Sequence, residues 1–324
     1  MRILVTGASG HIGATLVPRL VEAGHTVTVL AHSDMRSLEG LELRHVQGDV
    51  LDPASLRAAC EGQERVFHLA AIISTHGDPG GWVQKINVEG TRNVLAACRA
   101  AGVSRVVHFS SIHALADHDG PIDETRPLAL SPKLPAYDRS KAMAEALVAE
   151  AVRDGLDVVI VNPVGVIGPV DHRPSPMGEV LLKFATGRMT GLVEGGFFWV
   201  DVRDVVDGAL AAAERGRTGE RYLLGSEWVS VVNMAGYVTE FTGTPAPRFV
   251  SPRWLASFGA PFVTTWASLT GGRPLYSRES VMYLQCHKDV RCDKARAELG
   301  FNPRPARESV RDALAWFRDN GMLK

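Results

Sequence analysis

Apolar residues fall into short runs and longer periodic stretches that alternate through the first half of the chain. Ile3, Leu4 and Val5 form a run bounded by glycines, which predicts a buried strand. Residues 14–23 then place Leu16, Val17, Leu20 and Val21 at helical spacing. Further runs predict strands over 26–31, 43–47, 65–69, 105–109 and 157–161. Between them a helix begins at Asp52-Pro53, with Asp52 as cap and Pro53 at the first helical position. Two more helices are expected over 82–101 and 136–153. The strand runs show no clean apolar–polar alternation, as befits strands buried on both faces. Strands and helices interleaved at this rhythm predict an α/β fold with a doubly wound parallel sheet.

Beyond Pro169 the rhythm is lost. Asp171 to Pro176 reads as a turn-rich loop over the site, in which Arg173 is either a substrate contact or solvated. A helix over 178–184 follows, then the aromatic trio Phe197, Phe198 and Trp199, a last strand over 222–225 and a helix over 230–241. Residues 252–269 are strongly apolar, with Trp254, Leu255, Phe258, Phe262, Trp266 and Leu269. A buried helical hairpin, a homodimer contact and a substrate lid all fit that segment. Residues 308–317 are amphipathic and are expected to pack on the body.

Composition narrows the function classes. A net charge of −1 gives no electrostatic case for nucleic acid or an anionic membrane. The 4 cysteines are scattered, with no C-x-x-C, so no metal site is expected. No apolar run is long enough for a spanning helix, and the N-terminus runs straight into a strand without a signal peptide. A cytoplasmic protein is the expectation.

The chemistry gathers where strands end, because ligands of an open parallel sheet bind beyond the strands' carboxyl ends. After the first strand comes Gly7-x-x-Gly10-x-x-Gly13, including His11 and Ile12. Glycines there let a dinucleotide pyrophosphate approach the backbone, and the following helix N-terminus offers unpaired N–H groups. Asp49-Val50 ends the third strand; Asp49 either accepts from an adenine amino group or is a turn residue. Ala70-Ala71 follows the fourth strand and is small enough for a flat ring to approach. Ser110-Ser111 ends the fifth. Tyr137 and Lys141 then stand four apart on a predicted helix, on one face. A free phenol has a pKa of about 10; a neighbouring ammonium would lower it into working range. Ser111 could bond the same substrate oxygen.

With these motifs in order the chain resembles the extended short-chain dehydrogenase/reductase family, the NAD(P)-dependent epimerase/dehydratase group, and within it the dihydroflavonol-4-reductase-like branch. The match takes in Gly48-Asp49, Leu69-Ala70-Ala71, Asn87-Val88-x-Gly90-Thr91, Tyr137-x-x-x-Lys141, Asn162-Pro163, Gly168-Pro169, 200–205 and 293–305. The resemblance implies a Rossmann fold, Ser111, Tyr137 and Lys141 as a catalytic set, and Lys141 on the nicotinamide ribose. It also implies that the backbone from Pro163 to Val166 holds the carboxamide edge of the nicotinamide. The expected organisation is a dinucleotide-binding domain over 1–165, to which 199–226 returns. A smaller, mainly helical substrate lobe would be built from 166–198 and 227–306, and residues 307–324 would form a helix packed on the body.

Cofactor choice turns on the end of the second strand, where an acid would hold the ribose hydroxyl of NAD and arginine the phosphate of NADP. The sequence reads Ala31-His32-Ser33-Asp34-Met35-Arg36, with no acid at 31 or 32. Ser33 and Arg36 can bind a phosphate, Asp34 would oppose it, and NADP is favoured with NAD open. The expected activity is interconversion of a small-molecule carbonyl and alcohol by hydride transfer. A nucleotide-sugar epimerase or dehydratase is the alternative, but Gly195 to Trp199 offers no cation for a diphosphate. A dehydratase would also want an acid beside Ser111, where Ile112-His113 stands. A non-catalytic NADP sensor and a steroid dehydrogenase complete the alternatives.

Overall fold

The structure is a computed structural model, and it describes residues 1–31, 35–75, 77–117, 120–252, 254–255, 278–284, 286 and 288–323. His32, Ser33 and Asp34 lie outside these residues, as do Phe258, Phe262, Trp266 and Leu269 of the apolar segment.

The first half forms the strands β1 (Arg2–Thr6), β2 (Thr26–Ala31), β3 (Arg44–Gln47), β4 (Arg65–His68), β5 (Arg105–Phe109) and β6 (Val158–Pro163). Between them run α1 (His11–Glu22), α2 (Pro53–Cys60), α3 (Trp82–Gln84), α4 (Gly90–Ala100) and α5 (Ala136–Arg153). The chain continues through β7 (Gly165–Ile167), α6 (Pro176–Ala185), β8 (Leu192–Val193), β9 (Gly196–Asp201), α7 (Val202–Arg215) and β10 (Arg221–Leu224). It ends with β11 (Glu227–Ser230), α8 (Val231–Thr242), β12 (Val250–Ser251), α9 (Arg278–Tyr283), α10 (Asp293–Leu299) and α11 (Ala306–Asp319).

Seven strands make one parallel sheet in the order β10-β6-β5-β4-β1-β2-β3. Its order reverses between β1 and β4, where a doubly wound sheet leaves a crevice. Neighbouring residues of one strand serve opposite faces: Ile3 and Val5 pack with Leu16, Val17 and Val205, whereas Leu4 packs with Leu56, Val94 and Val148. That two-sided burial is why the strands read as continuous apolar runs. The expected β-to-α rhythm is met, and α5 spans the expected residues between Pro135 and Gly155.

Two differences from expectation bear on the site. The sixth strand runs on through Asn162 and Pro163, so these residues belong to the sheet rather than following it. The stretch around Phe197, Phe198 and Trp199 is strand β9, paired with β7 and β11 in a three-stranded sheet. Trp199 is buried, so only part of the trio is accessible. This small sheet packs with α6, α8 and α11 around Ile167, Leu181, Val238, Leu314 and Phe317. Asp201 caps α7 and pairs with Arg203 at 2.8 Å, and Arg203 reaches Asp312 of α11 at 2.7 Å. Asp204 accepts from the Arg304 backbone at 2.8 Å. Both acids make structural contacts at this strand–helix junction.

The helix predicted over 82–101 forms, with one irregularity: Lys85–Glu89, between α3 and α4, is a π turn. Inside it Asn87 accepts from the Ile72 N–H at 2.8 Å, donates to the Ile72 carbonyl at 3.0 Å, and donates to Ser140 Oγ of α5 at 2.9 Å. Such turns concentrate at functional sites.

Candidate active site

A cavity of about 460 Å³ runs across the carboxyl ends of the central strands. At one end it is lined by Gly7, Gly10, His11, Ile12 and Gly13, at its middle by Leu69, Ala71, Ser111, Tyr137 and Lys141, and further on by Pro163 and Val166. These are the strand-end residues singled out in the sequence, together with Tyr137 and Lys141 of α5. Asp49, Val50, Ala70 and Arg36 are not among the lining residues. Asp49 Oδ1 accepts from the Leu51 N–H at 2.8 Å, which is the turn role. Arg36 opens a short 3₁₀ turn, Arg36–Leu38, just past the end of β2.

The glycine loop has the form a dinucleotide needs. Gly7 has φ +73, where side chains are rarely tolerated, and a Cβ on it would stand 2.6 Å from the Ala70 nitrogen. A Cβ on Gly13 would stand 2.4 Å from the Gly7 carbonyl oxygen, so α1 can start this close to β1 only with glycine. Gly10 caps α1 without a side-chain bond, leaving the first-turn N–H groups to an anion. His11 Nε2 bonds the Pro169 carbonyl at 2.9 Å and ties the loop to the far wall. The buried Ser110 hydroxyl, another lining group, has no hydrogen-bond partner among the described residues, which suits a polar ligand. The residues present therefore fit a nicotinamide dinucleotide.

Ser111 lies at the end of β5, caps the 3₁₀ turn Ile112–Ala114 and accepts from the His113 N–H at 3.3 Å. Its carbonyl accepts from Asn162 Nδ2 at 3.0 Å, and the same nitrogen donates to Glu145 Oε1 at 2.6 Å. Glu145 is fully buried and pairs with Arg221 at 2.6 Å. This ion pair anchors the serine from below the cavity.

Tyr137 opens α5, and its carbonyl accepts from Ser140 Oγ at 2.7 Å. Through Ser140 and Asn87 the tyrosine's backbone is fixed to the loop after β4. Burial pushes the Tyr137 pKa up to about 12, a hydrogen bond from Ser111 pulls it down, and the Asp138 carboxylate pushes it further up. The causes acting on Tyr137 are burial, Ser111 and Asp138, while the Lys141 ammonium donates to the Phe109 carbonyl at 2.9 Å. Sharing a helix face does not dictate where a four-carbon stem points. Burial lowers the Lys141 pKa to about 8.

Three residues beside the tyrosine carry no sequence motif. Asp138 Oδ1 accepts from Tyr283 Oη at 2.7 Å and lies 3.6 Å from His113 Nδ1. The His113 ring is 4.4 Å from that of Tyr283 and 5.8 Å from that of Tyr137, between centroids. His113 and Tyr283 both line the cavity. The only signal in the sequence was the position of His113 two residues past Ser111; nothing marked Tyr283.

A parallel doubly wound sheet, a glycine cradle at the first strand–helix turn and a buried Ser-Tyr-Lys cluster together define a nicotinamide-dependent oxidoreductase of the extended short-chain dehydrogenase/reductase type. The profile of the NAD dependent epimerase/dehydratase family matches residues 3–225, and the chain belongs to that family. It is 39% identical to sterol demethylase protein B of Methylococcus capsulatus, over 100% of both chains. It is 32% identical to the 4-hydroxy-2-methyl-3-oxo-4-farnesyl-3,4-dihydroquinoline-1-oxide ketoreductase of Stigmatella aurantiaca, over 97% of this chain and 96% of that one. A solved nucleoside-diphosphate-sugar epimerase from Pseudomonas aeruginosa superposes with a TM-score of 0.81 at 28% identity, covering 100% of this chain and 99% of that one.

Proposed function

We propose that the protein interconverts a carbonyl and a secondary alcohol on an apolar small molecule, using NADP. The observation that carries the reading is the composition of the cavity. One end is the glycine cradle, the centre holds Ser111, Tyr137 and Lys141, and the other end is walled by Ile73, Ile112, Met177, Phe197 and Phe198. Bound nicotinamide supplies or accepts the hydride. Tyr137 exchanges the proton with the substrate oxygen, Ser111 holds that oxygen by a hydrogen bond, and Lys141 binds the nicotinamide ribose. A phenol kept protonated by burial is a ready donor to an alkoxide, which suits carbonyl reduction. The apolar end accords with the sterol and farnesyl-quinoline named for two relatives. Preference for NADP rests on Arg36 and on the absence of an acid at 31 or 32.

The test is oxidation of NADPH and NADH against a panel of oxosteroids, prenylated ketones and flavanonols beside UDP-sugars, with the Tyr137→Phe variant in parallel. Turnover of apolar ketones with NADPH, reduced on the order of 10²- to 10⁴-fold by Tyr137→Phe, is expected. Turnover of the sugars alone, or a fully active Tyr137→Phe enzyme, overturns the reading.

A further inference from the structure

We propose that Asp138 is a positioning residue that sets the acidity of Tyr137, biasing the site toward proton donation and therefore toward carbonyl reduction. The inference rests on the reading of Tyr137 as the group that exchanges the substrate proton.

The geometry is specific. Asp138 follows Tyr137 on α5 and is 7% exposed, as is Tyr137 itself. Asp138 Oδ1 lies 3.6 Å from His113 Nδ1, and the His113 ring lies 5.8 Å from the Tyr137 ring, so carboxylate and phenol flank one imidazole, and a charge on the carboxylate opposes the phenolate. The carboxylate is held rather than free to swing away. Tyr283 of α9 donates to its Oδ1 at 2.7 Å, and His113 Nδ1 faces the same oxygen at 3.6 Å. Among the described residues, the titratable and charged groups that face Asp138 are His113 from the turn after β5, Asp117 beyond it, and Glu279 and Tyr283 from α9. Tyr137 precedes it on α5, and Cys286, in the segment after α9, feels its charge. No lysine or arginine figures in that set. Burial pushes the Asp138 carboxyl up to about 7, the bond from Tyr283 pulls it down, and Glu279 and Asp117 push it up. Near neutrality, then, the carboxyl passes between a neutral and a charged form beside the phenol. Charged, it holds the proton on Tyr137, as reduction requires; neutral, it releases that hold and eases the phenolate that alcohol oxidation requires.

The experiment is a pH titration of the whole protein carrying ¹³Cζ-labelled tyrosine, followed by NMR. The Tyr137 resonance is assigned by its loss in Tyr137→Phe. The expected result is a step in the Tyr137 shift near pH 7, absent in Asp138→Asn and moved upward in Tyr283→Phe, which keeps the charge but removes the bond favouring it. In parallel, the basic limb of the kcat/KM profile for reduction of the best panel ketone should fall by about one pH unit in Asp138→Asn and stay in place in Tyr283→Phe. A step that survives in Asp138→Asn belongs to another group and overturns the inference, as does an unmoved limb. Failure of the catalytic reading is seen separately, as turnover retained by Tyr137→Phe.

Discussion

Lys141 Nζ donates to the carbonyl of Phe109 at 2.9 Å, joining the first half of α5 to the last residue of β5. The bond holds a buried ammonium at the cavity wall, and burial lowers its pKa to about 8. Lys141→Met should reduce turnover on the order of 10²-fold or more and raise the KM for cofactor. Lys141→Arg keeps the charge with a planar fork and should restore little. In the unaltered protein, cofactor affinity should fall as pH rises through about 8, when the ammonium gives up its proton. Fluorescence titration with NADPH across that range measures the change, and a flat profile would contradict it.

Gly13→Ala would put a methyl group 2.4 Å from the Gly7 carbonyl. Relief requires moving α1 away from β1, at a cost of about 1–3 kcal/mol. The variant should melt at a lower temperature and, its cradle displaced, lose the rise in Tm expected of the unaltered protein on binding a nicotinamide dinucleotide. Paired melting curves with and without NADP read both effects.

Asp201 is fully buried, caps α7 and holds Arg203 by two bonds, at 2.9 and 2.8 Å. Asp201→Ala leaves the guanidinium with Asp312 alone and removes the cap, so the loss should be about 3 kcal/mol. Since Asp201 lies outside the cavity lining, kcat of the surviving folded fraction should change little. Urea unfolding and active-site-normalised kinetics separate the two quantities.

Acid should destabilise the protein through buried histidine. His68 sits between Thr6 Oγ1 at 2.8 Å and Thr91 Oγ1 at 3.1 Å, and burial, aided by Lys141, lowers its pKa to about 3. The unfolded chain takes up the proton near 6.5, the folded one near 3, so this stability is present above 6.5 and drains away as pH falls to 3. His108, also buried, adds to the same slope. Asp138 runs the other way: its folded pKa is raised from 3.8 to about 7, so its contribution is present below 3.8 and lost as pH rises to 7. Urea midpoints measured from pH 3 to 8 should fall less toward the acid end in His68→Gln and, with the opposing Asp138 contribution removed, fall more steeply from pH 7 to 4 in Asp138→Asn.

The parallel sheet was legible in the sequence because Ile3 to Val5, Val29 to Ala31 and Val106 to Val107 are buried from both sides and leave runs of apolar residues. Once those strands are placed, the rule that ligands sit at their carboxyl ends assembles the glycine loop and Ser111, while Tyr137 and Lys141 are read from their four-residue spacing on a helix. What escaped depends on contacts between distant residues. Gly165–Ile167 and Gly196–Asp201 are short strands containing glycine, and they gain their identity by pairing with each other and, for the second, with Glu227–Ser230. Tyr283 joins Asp138 across 145 residues of sequence, a distance over which no periodicity operates. The direction of Lys141 escaped for another reason: spacing fixes which face a residue shares, while burial and a waiting carbonyl decide where its tip goes.

The π turn at Lys85–Glu89 amounts to one residue more than a regular helix would use between Trp82 and Ala100. Deleting a single residue there would restore uninterrupted α-helix and turn everything before the deletion by roughly 100° relative to α4. Asn87 could then no longer face both Ile72 and Ser140, and Tyr137 would lose its tie to the loop beyond β4. The surplus residue acts as a spacer in the gearing between two helices, and a deletion that makes this helix more regular should leave the enzyme less active.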